Sequence, residues 1–232
     1  MRHHRFIGAF DLDVKRITVH DAALANQLGN VFRLQAGDEV VLCDGKGREA
    51  VCGIISIGKA DLAFDVRVVT PIASEPRTHV TLYASLIKRE NFELIVQKAV
   101  EAGVSRIVPV IARRSIKQDP RTDRLAKIAR EAAEQSGRGI VPEIADAVPF
   151  NKALKDGLAC DMKVICDFGG KEARTMFTHG GGSVALFIGP EGGWDPEEST
   201  LARTEGYAAA DLGALTLRAE TAAIIATWLA AR

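Results

Sequence analysis

The first seventy residues alternate apolar and polar positions over short stretches, which is the period of a half-buried β-strand. Turn sequences such as "AGD", "DGKG" and "GKAD" separate these stretches. One longer apolar pattern, from Ala22 to Phe32, suits a helix. The pattern predicts a small antiparallel barrel, followed by a proline-containing linker over residues 71–78. The predicted strands cover residues 16–20, 38–45, 49–58 and 62–70.

From residue 80 onward, short apolar runs alternate with stretches of helical period. We expect a helix over 91–103 that Asn91 caps and Gly103 ends, and another over 119–137 that begins with Asp119 and Pro120. A last helix follows residue 218. The alternation predicts an α/β domain on a mainly parallel sheet, and we therefore expect a barrel over 1–72 and an α/β domain over 73–232. The predicted strands cover residues 80–87, 106–112, 162–168, 184–189 and 208–213.

The composition is that of a globular protein, with 26% charged and 47% hydrophobic residues among 232. Its 30 basic and 30 acidic residues cancel, so the total charge does not imply a nucleic-acid partner, and any basic surface must be local. The four cysteines form no CxxC pair, which favours reduced thiols without a metal. Because we recognise neither a signal peptide nor an apolar run of transmembrane length, we expect a cytoplasmic protein without a membrane partner.

The segment "FIGPEGGWDP", residues 187–196, follows an apolar run and opens a helix. Asp195 suits the N-cap of that helix, Pro196 suits its first position, and Glu198 completes the spacing of a capping box. A phosphate-binding turn needs a vacant helix N-terminus, and a P-loop also needs a lysine, so this turn disfavours NAD or ATP. The turn instead suits an uncharged or cationic ligand, or it is a tight connection that binds nothing.

A second loop, residues 212–217, also follows a predicted strand, within "DLGALTLRAETAA". Ligands of open α/β sheets bind at the carboxyl ends of strands, so Gly189 and Gly213 would share one pocket if their strands are close. Arg218 and Glu220 follow this loop. They are either a functional pair or a surface ion pair.

A basic stretch begins with "ARRSIK", residues 112–117, and continues through Arg121, Arg124, Lys127 and Arg130 to Arg138. Spacings of three put the middle four along one helical stripe, which is typical of a solvated helix face. In a neutral protein the clustering also suits a local phosphate site, and the pattern leaves both interpretations open.

The combination of "FIGPEGGW" with "LGALTLRAETAA" resembles the SPOUT superfamily of methyltransferases, and within it the RsmE type. Further segments match in the family's order over nearly the whole chain. At one position the chain departs from the pattern, because Thr216 stands where the family usually has an aliphatic residue beside the adenine pocket. The further segments are "RFIGAF", "NVFRLQAGDEVVLCDGKGREA", "IKRENFELIVQKAVEAGVSRIVPVIARRS" and "EAAEQSGRGIVPEI".

The resemblance implies an N-terminal PUA-like β-barrel for RNA, followed by an α/β SPOUT domain with a C-terminal trefoil knot. It also implies S-adenosylmethionine as methyl donor, no metal, and a homodimer whose subunits share each active site. The implied reaction is methylation of N3 of a uridine in the decoding region of 16S ribosomal RNA, in the small ribosomal subunit. One alternative is a SPOUT enzyme for another rRNA or tRNA nucleotide. Another is a non-catalytic RNA-binding or assembly protein, which the intact cofactor motifs argue against.

The resemblance also assigns roles to residues. Arg218 is expected to stabilise the uridine anion, with Arg138 as the second candidate, and Glu191 is expected to orient the donor or assist proton removal, although a solvent base is an alternative. The expected cofactor contacts are Phe168, Ile188, Gly189, Pro190, Gly192, Gly193, Leu212, Gly213, Leu215 and Leu217. The expected RNA contacts are Arg5, Arg33, Arg113, Arg114, Arg124 and Arg138.

Overall fold

A computed structural model of the protein describes residues 3–117, 119–177 and 180–232. The described residues form two compact units, of which the first contains the chain up to Glu75 together with Ala133–Val141. The second contains Pro76–Ala132 and Pro142–Arg232. Compact units are not in themselves functional domains, so the division between residues 72 and 73 stays a prediction.

The strands of the first unit are β1 (His4–Ile7), β2 (Arg16–His20), β3 (Glu39–Cys43), β4 (Arg48–Ile57) and β5 (Asp61–Pro71). They form one sheet in the order β1-β3-β4-β5-β2. The pairs β3–β4, β4–β5 and β2–β5 are antiparallel, as the alternation predicts. The sequence pattern does not predict β1, which pairs parallel to β3. This pairing joins segments that are distant in the sequence, so no local turn sequence predicts it.

The helix expected over 22–32 consists of α1 (Ala22–Asn26) and a π-helical segment, Gln27–Val31. Asp21 caps α1, since its carboxylate accepts the backbone N–H groups of the second and third residues after it at 2.8 and 3.0 Å. Alternate strand residues supply the core of the first unit, because successive side chains of a strand point to opposite faces. Its buried residues include Val40, Leu42, Ala50, Cys52, Ile54, Leu62 and Phe64.

The second unit contains a parallel sheet, as the sequence predicts. The strands are β6 (His79–Ser85), β7 (Arg106–Ile111), β8 (Glu143–Ile144), β9 (Val148–Pro149), β10 (Met162–Glu172), β11 (Ser183–Ile188) and β12 (Ala208–Asp211). Their order is β12-β10-β11-β6-β7-β8, and β9 also pairs with β7. All of these strands therefore end at one common edge, the carboxyl edge of the sheet.

Two of the predicted helix starts are wrong. The later helices are α2 (Arg89–Ala102), α3 (Thr122–Ser136), α4 (Phe150–Gly157), α5 (Ala173–Met176), α6 (Pro196–Thr204) and α7 (Ala219–Ala230). α2 begins before Asn91, because Arg89 and Glu90 are compatible with a helix and Glu90 suits its positive end. α3 begins after Asp119 and Pro120, since the intervening Arg121 has φ +38° and cannot continue a helix backwards. Within the described ranges, no helix is both long and apolar enough to cross a membrane.

Two other expectations about these helices have opposite outcomes. Gly103 ends α2 with φ +104°, and its N–H binds the carbonyls of the last turn, as predicted. The basic stripe of four residues does not lie on one helix, because Arg121 precedes α3 and only Arg124, Lys127 and Arg130 belong to it. The positive φ angle of Arg121 keeps this residue out of α3, and the spacing of basic residues in the sequence does not reveal that angle.

The core of the second unit is aromatic, with Tyr83 stacked on Phe187 at 4.3 Å between ring centroids. The Tyr83 hydroxyl donates to Asp156 at 2.7 Å, and Arg106 donates to the same carboxylate at 2.7 Å. Burial raises the pKa of Asp156, but the two hydrogen bonds outweigh it and hold that pKa below its ordinary value.

Candidate active site

A cleft opens at the carboxyl edge of the parallel sheet, around the ends of β11 and β12. β10 lies between these two strands, so the turn after Ile188 and the loop after Asp211 flank it. The cleft measures about 690 Å³, including the open space at its mouth, which is within the range of small-molecule sites. Gly189 and Gly213 both line it, and the expectation that their strand ends share one pocket is confirmed.

The turn after β11 is held by hydrogen bonds that its own residues supply. The Gly193 N–H donates to the Pro190 carbonyl at 2.8 Å, and Gly193 has φ +68°, a conformation that favours glycine. The indole of Trp194 is buried and donates to the carbonyl of Cys166 on β10 at 3.0 Å. The turn is thereby fastened to the neighbouring strand.

The predicted capping box at the start of α6 is present. The Asp195 carboxylate accepts from the Glu197 N–H at 3.1 Å, and the Glu198 carboxylate accepts from the Asp195 N–H at 3.0 Å. These acids occupy the positive end of the helix and its unpaired N–H groups, where a phosphate would otherwise bind. The geometry therefore argues against a phosphate at this helix, as the sequence does.

On the other side of the cleft, a single carboxylate connects an irregular part of β10 to the loop after β12. Asp211 accepts from the Gly169 N–H at 3.0 Å and from the Gly213 N–H at 2.9 Å. Both glycines have left-handed backbones, with φ +73° and +121°. Phe168 and Leu215, beside these glycines, line the cleft and are 68% and 78% exposed. Asp211 therefore sets the position of the two exposed apolar side chains at the cleft mouth.

The charge of the cleft lining is acidic. Asp167, Glu191 and Asp211 line it, whereas the described lining residues include no lysine or arginine. Cys166 also lines the cleft, and burial, together with the nearby aspartates, raises the pKa of its thiol to about 12, so the thiol stays neutral. A cation or a neutral group suits this lining better than a phosphate does.

The structure brings nine of the ten expected cofactor residues to the cleft. Gly192 is the exception, because its carbonyl is turned to Arg114, whose Nη1 donates to it at 2.8 Å. The roles of all ten expected residues in cofactor binding stay predictions. The nine are Phe168, Ile188, Gly189, Pro190, Gly193, Leu212, Gly213, Leu215 and Leu217.

The two expected catalytic residues differ in their position. Glu191 is exposed and lines the cleft. Arg218 stands at the N-cap of α7, between the lining residues Leu217 and Ala219, but its own side chain is 84% exposed and outside the lining. Its Nη1 is 4.0 Å from the carboxylate of Glu220. Their catalytic roles stay predictions.

The expected RNA contacts of the first unit lie in different environments. Arg5 is half-buried and paired with Glu49. Arg33 is exposed and has φ +57°, which is uncommon for a residue other than glycine. Arg138 is buried, and its guanidinium donates to Glu75 at 2.8 and 3.1 Å. Arg33 presents the most accessible guanidinium of these three.

In the second unit, the expected RNA contacts are exposed and ion-paired. Arg113 lies 3.0 Å from Asp195 at the start of α6, and Arg114 lies beside the same turn. Arg124 donates twice to Glu93 of α2, at 2.6 and 2.7 Å. The acidic partners reduce the positive charge that these side chains present.

The sequence argument misses several lining residues, notably Asp167, Asp211, Trp194 and Cys166. Asp167 and Asp211 could have been identified, because each follows the apolar part of a predicted parallel strand at the edge where ligands bind. Asp167 accepts from the Ser199 hydroxyl of α6 at 2.9 Å. No sequence pattern predicts that Trp194 lines the cleft, because its position depends on tertiary packing.

Comparisons with known proteins agree with this architecture. The family described as "RNA methyltransferase domain" matches residues 74–231, and "RNA methyltransferase PUA domain" matches residues 25–66. The ribosomal RNA small subunit methyltransferase E of Bacillus subtilis is 30% identical over 85% of this chain and 82% of its own length. The Synechocystis protein of the same name is 28% identical over 96% of this chain and 75% of its own length.

A solved structure is similar along nearly its full length. The ribosomal RNA small subunit methyltransferase E from Neisseria gonorrhoeae, bound to S-adenosyl methionine, superposes with a TM-score of 0.88 and 29% identity. The match covers 97% of this chain and 95% of that one. The expected fold class, a PUA-like unit followed by an α/β SPOUT-type unit, is confirmed, while the knot stays an expectation. The chain belongs to the ribosomal RNA small subunit methyltransferase E family of RNA methyltransferases.

Proposed function

We propose that the protein uses S-adenosylmethionine to methylate N3 of a uridine in 16S ribosomal RNA. The observation that carries the proposal is the cleft at the ends of β11 and β12, which is acidic, is largely apolar between its acids, and adjoins a capped helix. Family membership supports methyl transfer to ribosomal RNA as the reaction class. The base and its position in the RNA are the finer part of the proposal.

The lining fits the chemistry of this donor. S-adenosylmethionine carries a positive sulfur and no phosphate, and three carboxylates face a cleft without basic residues in its described lining. Backbone groups of the two glycine-containing loops are available for the adenine, and apolar side chains such as Leu215 and Leu217 can cover it. A relative in the same family has been crystallised with this donor.

The bound donor supplies the methyl group on its sulfonium. The chain has to align the uridine with that methyl, and alignment alone is worth about 7–11 kcal/mol by effective molarity. Uridine N3 loses its proton to a base, N3 bonds to the methyl carbon, and the sulfur–methyl bond breaks. Glu191, which is exposed at the cleft, is the proposed residue for proton removal or orientation.

The uridine anion needs a positive group near O2 or O4. Arg218 is the proposed group, because it adjoins the cleft lining and its exposed side chain can reach a substrate above the cleft. Arg138, the second candidate, is less suited, since it is buried against Glu75. We expect Arg218→Ala to lower the methylation rate by about 10²-fold, the effect of removing one such donor.

The basic loops beside the cleft are the proposed RNA surface of this unit. The Ile116 N–H donates to the Leu86 carbonyl at 3.0 Å, which joins the loop after β7 to the loop after β6. Lys88 and Lys117 on these loops are exposed, as is Arg89 at the start of α2. A substitution that removes one of these charges from a phosphate should reduce the slope of log affinity against log salt by about one.

A homodimer is proposed from an exposed apolar surface. α7 packs against α2, β6 and β11, yet Ile225 and Trp228 on it are 37% and 46% exposed. Ile225 and Trp228 are three positions apart on one helix and so form a contiguous apolar patch, and such patches mark interaction surfaces. Analytical ultracentrifugation should detect a dimer that Trp228→Glu disrupts, while Leu158→Glu, at a comparably exposed position (39%), leaves it intact. A monomeric wild-type protein would contradict this part.

The deciding experiment is methylation of small ribosomal subunits and of naked 16S rRNA, with nucleosides analysed by mass spectrometry. We expect N3-methyluridine with the wild-type protein and about 10²-fold less with Arg218→Ala. Another methylated nucleoside would overturn the base assignment and leave the methyltransferase assignment intact. Methylation of transfer RNA instead would overturn the substrate.

A further inference from the structure

The loop after β7, residues 112–117, is fastened to the turn at the cleft through one buried carboxylate. Glu198 is 6% exposed, and its two oxygens accept from two different segments. One accepts from the Asp195 N–H at 3.0 Å, and the other accepts from the Arg113 N–H at 2.9 Å. We call residues 112–117 the arginine loop. Because Glu198 is satisfied by both segments, the arginine loop and the turn are held as one piece.

Two guanidinium groups of the arginine loop extend over the turn. Arg113 donates to Asp195 at 3.0 Å and to Glu197. Arg114 donates from Nη1 to the carbonyl of Gly192 at 2.8 Å, and its Nη2 is 3.8 Å from Asp195. Only the Arg114 contact reaches the part of the turn that lies between the cleft and α6.

The Gly192 carbonyl accepts its hydrogen bond from Arg114, a residue outside the turn. The turn's own hydrogen bond uses the Pro190 carbonyl, and the capping box uses the N–H groups at the start of α6. Gly192 and Gly193 are adjacent, and glycine loses more conformational freedom on ordering than other residues. A charged donor on the carbonyl between them therefore restricts the two most flexible residues of the turn.

We propose that Arg114 is a positioning residue, which holds the Pro190–Gly193 turn in the conformation that receives the methyl donor. The inference rests on the proposed function, since it takes the cleft as the donor site. It gives Arg114 a role in donor affinity that exists without RNA. The family resemblance assigns Arg114 only an RNA contact, which would leave donor affinity unchanged.

The test is isothermal titration with S-adenosylhomocysteine in the absence of RNA. We expect Arg114→Ala to weaken binding about tenfold, and Arg114→Lys to recover part of that loss, because an ammonium can donate to one carbonyl without the planar fork. Lys127→Ala removes one positive charge from an exposed position on α3 and should bind like the wild-type protein. Thermal unfolding of every variant separates a local effect from a loss of fold.

Hydrogen exchange gives a second readout that a role limited to RNA binding would not produce. Without ligand, the amides of residues 189 and 191–195 should exchange faster in Arg114→Ala than in the wild-type protein, while those of β6 and β11 stay protected. Unchanged S-adenosylhomocysteine affinity, within twofold, would overturn the inference even if RNA binding fell. Failure of the wild-type protein to bind S-adenosylhomocysteine would overturn the proposed donor itself, and this inference with it.

Discussion

Asp211 offers the sharpest test of how the cleft is assembled. Its carboxylate accepts two backbone N–H groups, from Gly169 at 3.0 Å and from Gly213 at 2.9 Å, and so connects an irregular part of β10 to the loop after β12. Both glycines have positive φ angles, so neither segment has ordinary strand geometry at its glycine. If the connection is removed, the two segments must be ordered by the ligand when it binds.

The magnitude follows from the two hydrogen bonds. Hydrogen bonds to a charged group contribute about 1.5–3 kcal/mol each, and partial exposure of Asp211 reduces this through solvent screening. We therefore expect Asp211→Ala to weaken S-adenosylhomocysteine binding by about 1–2 kcal/mol, a factor of about 5–30. Asp211→Asn keeps one acceptor oxygen, and we expect about half of that free-energy loss.

The assay is isothermal titration of both variants with S-adenosylhomocysteine, together with thermal unfolding. Asp161→Ala is the matched control, because the Asp161 carboxylate also accepts two hydrogen bonds, from the N–H and the hydroxyl of Ser183. Asp161 lies at the opposite edge of the same sheet, away from the cleft. This variant should lower stability without changing affinity. An Asp211→Ala protein that binds within twofold of wild type would refute the reasoning, since the two segments would then be ordered without the carboxylate.

Further predictions concern the turn, its indole and the core. A methyl group on Gly189 would lie 3.2 Å from the Trp194 ring, whereas the atom nearest to a methyl group on Gly192 is 3.5 Å away. Gly189→Ala should therefore weaken S-adenosylhomocysteine binding more than Gly192→Ala does. Equal losses of affinity in calorimetry would contradict this. In a Trp228→Phe protein, S-adenosylhomocysteine should change the emission of Trp194, and an unchanged spectrum would count against its place in the cleft lining. The lowered pKa of Asp156 stabilises the folded state above the ordinary value of 3.8, and this contribution disappears as pH falls through the lowered pKa. Asp156→Asn should therefore reduce stability at pH 7 and flatten the loss of stability below about pH 4, and parallel denaturation curves for the two proteins would refute it.

The segment "FIGPEGGWDP" shows which structural features can be predicted from neighbouring residues alone. The capping box of Asp195 and Glu198 is present as the residue spacing predicts, because a cap joins groups only three positions apart. The same local reasoning fails at Asn91 and Asp119, where a good capping residue stands near a helix start but the backbone begins the helix elsewhere. Capping residues indicate that a helix starts nearby, with an uncertainty of a few residues.

The sequence by itself determined the class of the longer segments, the parallel character of the second sheet and most of the residues that line its cleft. The segments and the sheet follow from short-range periodicity, and the place of the cleft follows from the rule that ligands bind at the carboxyl ends of parallel strands. The individual lining residues follow from the family resemblance. Only the tertiary structure decided that β10 lies between β11 and β12, that Asp211 connects β10 to the loop after β12, and that Arg114 donates to Gly192. The Arg114 hydrogen bond joins residues 78 positions apart, and its energy depends on angles and distances that no local pattern records.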